Sequence, residues 1–221
     1  MKNILLFIGI LINVNGLFGQ PSTKKIRLSS IPFELSIINN STSIKTDGDS
    51  VLELTSAGKT NLFVNPNNKY NVQNAPMVLF KPDSSFVFTA KISAELSEIY
   101  DVAALVIYQD SNYWAKFCYE NSVNKQPTIV SVVTRKFSDD CNSLTINKKF
   151  AFLAIIKNGK EIAFHYSTDG KSWELIRQFR LETENNINIG FAIHCSRGNG
   201  FSAKFSNIRY KSKVPDNLRT F

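Results

Sequence analysis

Alternation with a period of two runs through nearly every apolar segment of this sequence and constrains the fold more than any other feature. Phe86, Phe88, Ala90, Ile92 and Ala94 alternate with Val87, Thr89, Lys91, Ser93 and Glu95. Ile162, Phe164 and Tyr166 alternate with Ala163, His165 and Ser167. Ile187, Ile189, Phe191, Ile193 and Cys195 alternate with Asn188, Gly190, Ala192 and His194. Successive side chains of an extended strand point to opposite faces, so this period belongs to half-buried strands. Two runs, 102–108 and 150–156, are apolar almost throughout and read as central strands covered on both faces. Turn signals separate the runs, among them Pro66-Asn67-Asn68, Asp110-Ser111-Asn112, Asp169-Gly170 and Arg197-Gly198-Asn199-Gly200. Asn158-Gly159 between two strand-like runs predicts a tight hairpin. Helical periodicity is nearly absent, with room for a single turn over 93–100. Short strands at this turn spacing predict an all-β fold, a two-sheet antiparallel jelly-roll sandwich.

The N-terminal stretch 1–20 differs from the rest. Lys2 is its one charge, an apolar run follows from Ile4 to Ile12, and Gly16 and Gly19 mark a small-residue exit. This layout is that of a secretory signal peptide, and the run is too short and broken to span a membrane. The sequence therefore predicts an extracytoplasmic protein, secreted or periplasmic, with no integral membrane segment in the mature chain. Residues 21–214 then form one domain, and 215–221 read as a frayed C-terminal tail. Export leaves Cys118, Cys141 and Cys195 with any one disulfide, or none, open to them. No Cys-x-x-Cys occurs and the only histidines are His165 and His194, which argues against a structural zinc site. No cofactor or metal is implied. The net charge of +8 is scattered, so nucleic acid is not an expected partner.

The segment Tyr100-Asp101-Val102-Ala103-Ala104-Leu105-Val106, followed by Trp114-Ala115-Lys116 and Glu120, resembles the central signature of domain-of-unknown-function family 1349. So do Ser131-Val132-Val133-Thr134-Arg135 with Ser138-Asp139, and Tyr166-Ser167-Thr168-Asp169-Gly170 with Trp173. Gly190-Phe191, Gly198, Gly200-Phe201 and Phe205-Ser206-Asn207 are similar to its closing strands. The resemblance extends from about Phe33 to Tyr210. It implies the fold of the concanavalin A-like lectins and glucanases. The family is linked by name to regulation of enolase in yeast, and related domains occur beside glycoside-processing modules. One departure is Ala154, where relatives often carry Arg.

Strand parity also picks out a candidate site. On the strand 113–120, Trp114, Lys116, Cys118 and Glu120 share one face. A hairpin with the next strand brings Ser131 or Arg135 opposite Lys116 or Glu120, and His194 lies on the less apolar face of its own strand. An aromatic ring, cations and a carboxylate on one sheet face suit a glycan or polyol. Trp114, Lys116, Glu120, Arg135 and His194 are thus the expected ligand-binding residues. A glycosidase needs two carboxylates about 5 to 9.5 Å apart. Candidate pairs are poor: Asp139 and Asp140 are adjacent and point opposite ways, Glu182 and Glu184 sit in a polar connection, and Glu120 stands alone on its strand. Trp173 reads as a structural plug, and the Asp169 turn has too few oxygens for calcium. The favoured function is a non-catalytic carbohydrate-associated binding domain. The alternatives are a glycan-active hydrolase or lyase using Glu120, Arg135, Tyr166 or His194, and a structural or protein-interaction domain of the cell envelope.

Overall fold

The computed structural model describes residues 25–39, 41–181 and 186–221, so the signal-peptide segment, Glu182 and Glu184 lie outside the described residues. Among those residues there are seventeen strands and no helix. They are β1 (Lys25–Ile26), β2 (Leu35–Ile38), β3 (Ser43–Asp47), β4 (Val51–Ala57), β5 (Leu62–Val64), β6 (Asn71–Gln73), β7 (Met77–Phe80), β8 (Phe86–Ser93) and β9 (Asp101–Tyr108). There follow β10 (Tyr113–Asn121), β11 (Pro127–Arg135), β12 (Phe137–Thr145), β13 (Phe150–Asn158), β14 (Glu161–Ser167), β15 (Glu174–Arg180), β16 (Asn188–Cys195) and β17 (Gly200–Lys211). The 93–100 segment forms no helical turn.

An eight-stranded sheet runs β1-β2-β7-β16-β9-β10-β11-β12, and a seven-stranded sheet runs β15-β14-β13-β8-β17-β4-β3. Neighbouring strands pair antiparallel, and the two sheets enclose one core, as the alternation predicts. Phe117 of one sheet stacks on Phe164 of the other at 4.8 Å, and Phe191 meets Phe205 edge-on at 4.9 Å. Burying a side chain of this size contributes roughly 1.5–3 kcal/mol. The Asn158-Gly159 hairpin forms as expected: Asn158 pairs with Glu161, and Gly159 takes φ +55° at the first loop position.

The two runs that are apolar throughout owe this to covers outside the sandwich. Over β9, the β5–β6 hairpin packs Leu62 and Val64 onto Val102, Ala104, Val106 and Trp114. It is held by the Val64 N–H donating to the Ser138 hydroxyl at 3.0 Å. Over β13, the C-terminal segment packs Leu218 onto Val87, Ile156 and Ala163. Residues 215–221 are therefore not frayed. Leu218 is buried, its carbonyl lies 2.8 Å from Nε2 of His165, and Phe221 packs on Trp173. The tail stays down because it hides an apolar patch the sheet would otherwise expose. No disulfide forms: Cys118 and Cys195 are buried thiols and Cys141 is exposed.

Strand β17 departs from simple alternation. Phe201, Ala203 and Phe205 point inward, as do Ile208 and Tyr210 further on, which requires one extra residue between the two sets. That residue is a bulge at Asn207-Ile208, where Asn207 takes φ +48° and the pairing with β8 shifts between Ser206 and Arg209.

Candidate functional site

Lys116, Glu120 and His194 meet in a cavity of about 460 Å³ on the outer face of the eight-stranded sheet, beside the β5–β6 hairpin. The register explains the meeting. Glu120 pairs with Val102, and Val102 with His194, so Glu120 and His194 flank β9 on one face. Cys118, Ala104 and Ala192 form the next row, and their small side chains leave a floor along which the Lys116 stem can lie. Lys116 Nζ stands 3.1 Å from Nε2 of His194. All three residues are buried.

The electrostatics follow from this burial. Loss of water pushes the Glu120 carboxyl up to about 7, against the downward pull of Lys116 and with a further push from Asp140. Burial and then the Lys116 charge hold His194 well below its ordinary value, so its ring is neutral near pH 7. Glu120 accepts no side-chain hydrogen bond from any described residue. A buried carboxyl aimed at a cavity, with a cation near it and no fixed donor, is available to a ligand.

Asp140 completes the polar set. It pairs with Val132, which pairs with Lys116, so it shares their face at the exposed rim. Its carboxyl is raised by loss of water, offset by Lys116. Asp139 points the other way, where its carboxylate pairs with Arg177 at 2.8 Å. The opposite orientation of these two acids is as the sequence predicts. The hairpin adds Asn61, Phe63 and Tyr70, with the Asn61 amide donating to the Tyr70 hydroxyl at 3.1 Å. Tyr100 also lines the cavity, in a left-handed conformation, φ +65°, with the Arg197 guanidinium over its ring at 5.6 Å. The site therefore offers hydroxyls, amides, two carboxyls, two cations and three aromatic rings.

Two expected residues are elsewhere. Trp114 shares the face of Lys116 but is wholly buried under the hairpin, where its Nε1–H donates to Gln73 Oε1 at 3.2 Å. It packs as core and does not line the cavity. Arg135 is on the opposite face. β10 and β11 pair Trp114 with Thr134, Lys116 with Val132 and Glu120 with Thr128, leaving Arg135 opposite Tyr113 and Ser131 opposite Phe117. A one-residue difference in register moves every side chain to the other face, and the 122–126 loop sets that register. Arg135 instead donates to the Arg180 carbonyl. Tyr166, a candidate for hydrolysis, lies in the inter-sheet core. The sequence reading missed Tyr70 and Tyr100. The Pro66-Asn67-Asn68 turn flanked by Phe63 and Tyr70 is the one local sign of the hairpin that brings Tyr70 there.

Two sheets of antiparallel strands in this order form a concanavalin A-like sandwich. The chain belongs to the family of proteins of unknown function DUF1349, whose model matches residues 37–213. No curated protein matches it. A functionally unknown protein from Saccharomyces cerevisiae superposes with TM-score 0.73 at 17% identity, covering 86% of this chain and 100% of that one. The GH43 protein BlXynB from Bacillus licheniformis superposes with TM-score 0.64 at 17% identity, covering 81% of this chain. This chain spans only 37% of that protein. The VIP36 exoplasmic/lumenal domain, in its Ca2+/Man3GlcNAc-bound form, gives TM-score 0.51 at 9% identity, covering 84% of this chain and 90% of that one. At these identities the likeness is one of fold.

Proposed function

We propose that the cavity around Lys116, Glu120 and His194 binds a carbohydrate, and that the chain is an exported, non-catalytic carbohydrate-associated domain. The observation that carries this reading is the burial of three polar, ionisable side chains at a cavity walled by Phe63, Tyr70 and Tyr100. Burying such groups is costly unless they are satisfied, and sugar hydroxyls can satisfy them while an aromatic ring covers a sugar face. Sugar-binding and glycoside-hydrolase proteins among the structures of similar fold support the ligand class. Among the described residues no helix is long and apolar enough to cross a membrane.

A glycan array of the chain, followed by calorimetry on the best ligand, tests this. Glu120→Gln and His194→Ala are expected to weaken binding at least tenfold with the fold retained; unchanged affinity in both overturns the assignment. Export is tested by the intact mass of protein recovered from its host, where a retained Met1 defeats it.

A second reading, a glycan hydrolase or lyase, is favoured by one feature. Glu120, raised to about 7, shares the cavity with a second carboxyl, Asp140. A carboxyl that titrates near neutrality is suited to general-acid work. Release of reducing ends or unsaturated products from xylan and arabinan, lost in Glu120→Gln, would select this reading over simple binding.

A further inference from the structure

The molecule has a second cavity, about 570 Å³, on the outer face of the seven-stranded sheet. It opens on the opposite side of the sandwich from the first. Trp173 and Phe221, with ring centres 5.0 Å apart, form part of its wall, and Phe152 adds a third ring. Arg209, Lys211, Lys213 and Lys171 also line it. Among the described residues one side-chain carboxylate, Asp169, lines it too. That carboxylate is committed to its own turn: Oδ1 accepts from the Lys171 N–H at 2.8 Å, the Ser172 N–H at 2.9 Å and the Ser167 hydroxyl at 3.0 Å. Arg209, Lys211 and Lys213 make no ion pair or side-chain hydrogen bond with any described residue.

The fold spends a bulge on this arrangement. Without the extra residue at Asn207-Ile208, strict alternation from Phe205 would turn Arg209 and Lys211 into the core. With it, Arg209 stands opposite Thr89 and Lys211 opposite Val87, both on the cavity face. Bulges commonly re-aim side chains at sites in this way. The two side chains then leave the strand at backbone positions about 6.8 Å apart, twice its rise.

We propose that this second cavity binds an anionic polysaccharide, a chain bearing carboxylate or sulfate groups, with Arg209 and Lys211 holding the anions and Trp173 or Phe221 covering a sugar ring. Unpaired cations beside an aromatic wall give charge complementarity and a surface for a ring face, and an Arg fork matches a carboxylate or sulfate. Single-stranded nucleic acid fits less well, because it needs a run of rings on which successive bases stack. Trp173 and Phe221 are tilted by 46° against each other and form no such run. The site is independent of the Lys116 cavity, so either can fail alone.

The test is titration of the full chain with polygalacturonate and with dextran sulfate, beside neutral xylan, phosphatidylserine vesicles and oligo-thymidylate. Binding to at least one of the two anionic polysaccharides is expected, weakening as salt rises and, in the Glu120→Gln variant, at least tenfold tighter than binding to xylan. The exposed double variant Arg209→Glu/Lys211→Glu should lose it at least tenfold with an unchanged melting temperature. Trp173→Ala should weaken it severalfold, and Glu120→Gln should leave it intact. Preference for polygalacturonate or for dextran sulfate identifies the anion. The proposal is overturned if neither polyanion binds, if xylan binds the Glu120→Gln variant as tightly as the polyanions do, if the charge-reversed variant binds normally, or if vesicles or oligo-thymidylate bind more tightly.

Discussion

Lys116 Nζ lies 3.1 Å from Nε2 of His194, reaching across the intervening strand β9. An ammonium has only donors, so Nε2 must accept, and the ring proton is then on Nδ1, 3.4 Å from the Ser196 hydroxyl. The pair thus sets the tautomer of the one histidine in the cavity. Lys116→Met removes the charge that, after burial, holds His194 down. An NMR titration of the His194 ring should show its pKa rising in this variant. No movement would mean that burial alone sets it.

Glu120→Gln should stabilise the protein at pH 8 while weakening ligand binding. The folded-state pKa of Glu120 is raised to about 7 from an ordinary 4.5. Its contribution is therefore fully present below 4.5 and is lost as pH rises through about 7. The amide carries no charge to desolvate, so the variant should gain roughly 1–3 kcal/mol at pH 8. The gain should nearly vanish by about pH 4, where the carboxyl is largely neutral in both states. Urea unfolding at the two pH values measures this, and a gain of equal size at both would contradict it.

Trp114→Ala should cost about 3–5 kcal/mol, the range for a large side chain removed from a packed interior. Arg135→Ala, at an exposed strand end, should change stability by about 0.5 kcal/mol or less. Denaturant unfolding of both compares them directly. A Trp114→Ala protein of normal stability that fails to bind sugar would return Trp114 to the site.

Leu218→Asp should lift the C-terminal segment from the sheet and expose Val87, Ile156 and Ala163. It should also free His165, whose folded-state pKa is lowered by burial. A lowered histidine contributes stability that is full above its unfolded value, 6.5, and is lost as pH falls below it. The wild type should therefore lose melting temperature between pH 6.5 and 5 more steeply than the variant. Parallel slopes would show that His165 is not the titrating group. The variant should also bind dye at exposed apolar surface.

The period of two is a local property of a chain. Phe86 to Ala94 and Ile187 to Cys195 show it because each strand must put every second side chain into the core, whatever its neighbours are. Fold class, the Gly159 hairpin and the face shared by Lys116 and Glu120 could therefore be read from the sequence alone. The family could be read too, since its motifs are runs of adjacent residues. Parity between strands is not local. The 122–126 loop, not the residues of either strand, decides that Arg135 faces away from Glu120. The bulge at Asn207 similarly reverses the face of Arg209 and Lys211 without altering their sequence. The partners of Trp114 and His194 come from segments 41 and 78 residues away. Only the packed structure could decide that Trp114 is core under a hairpin and that Lys116, Glu120 and His194 meet. Such contacts depend on how whole sheets are covered, and no single strand encodes its cover.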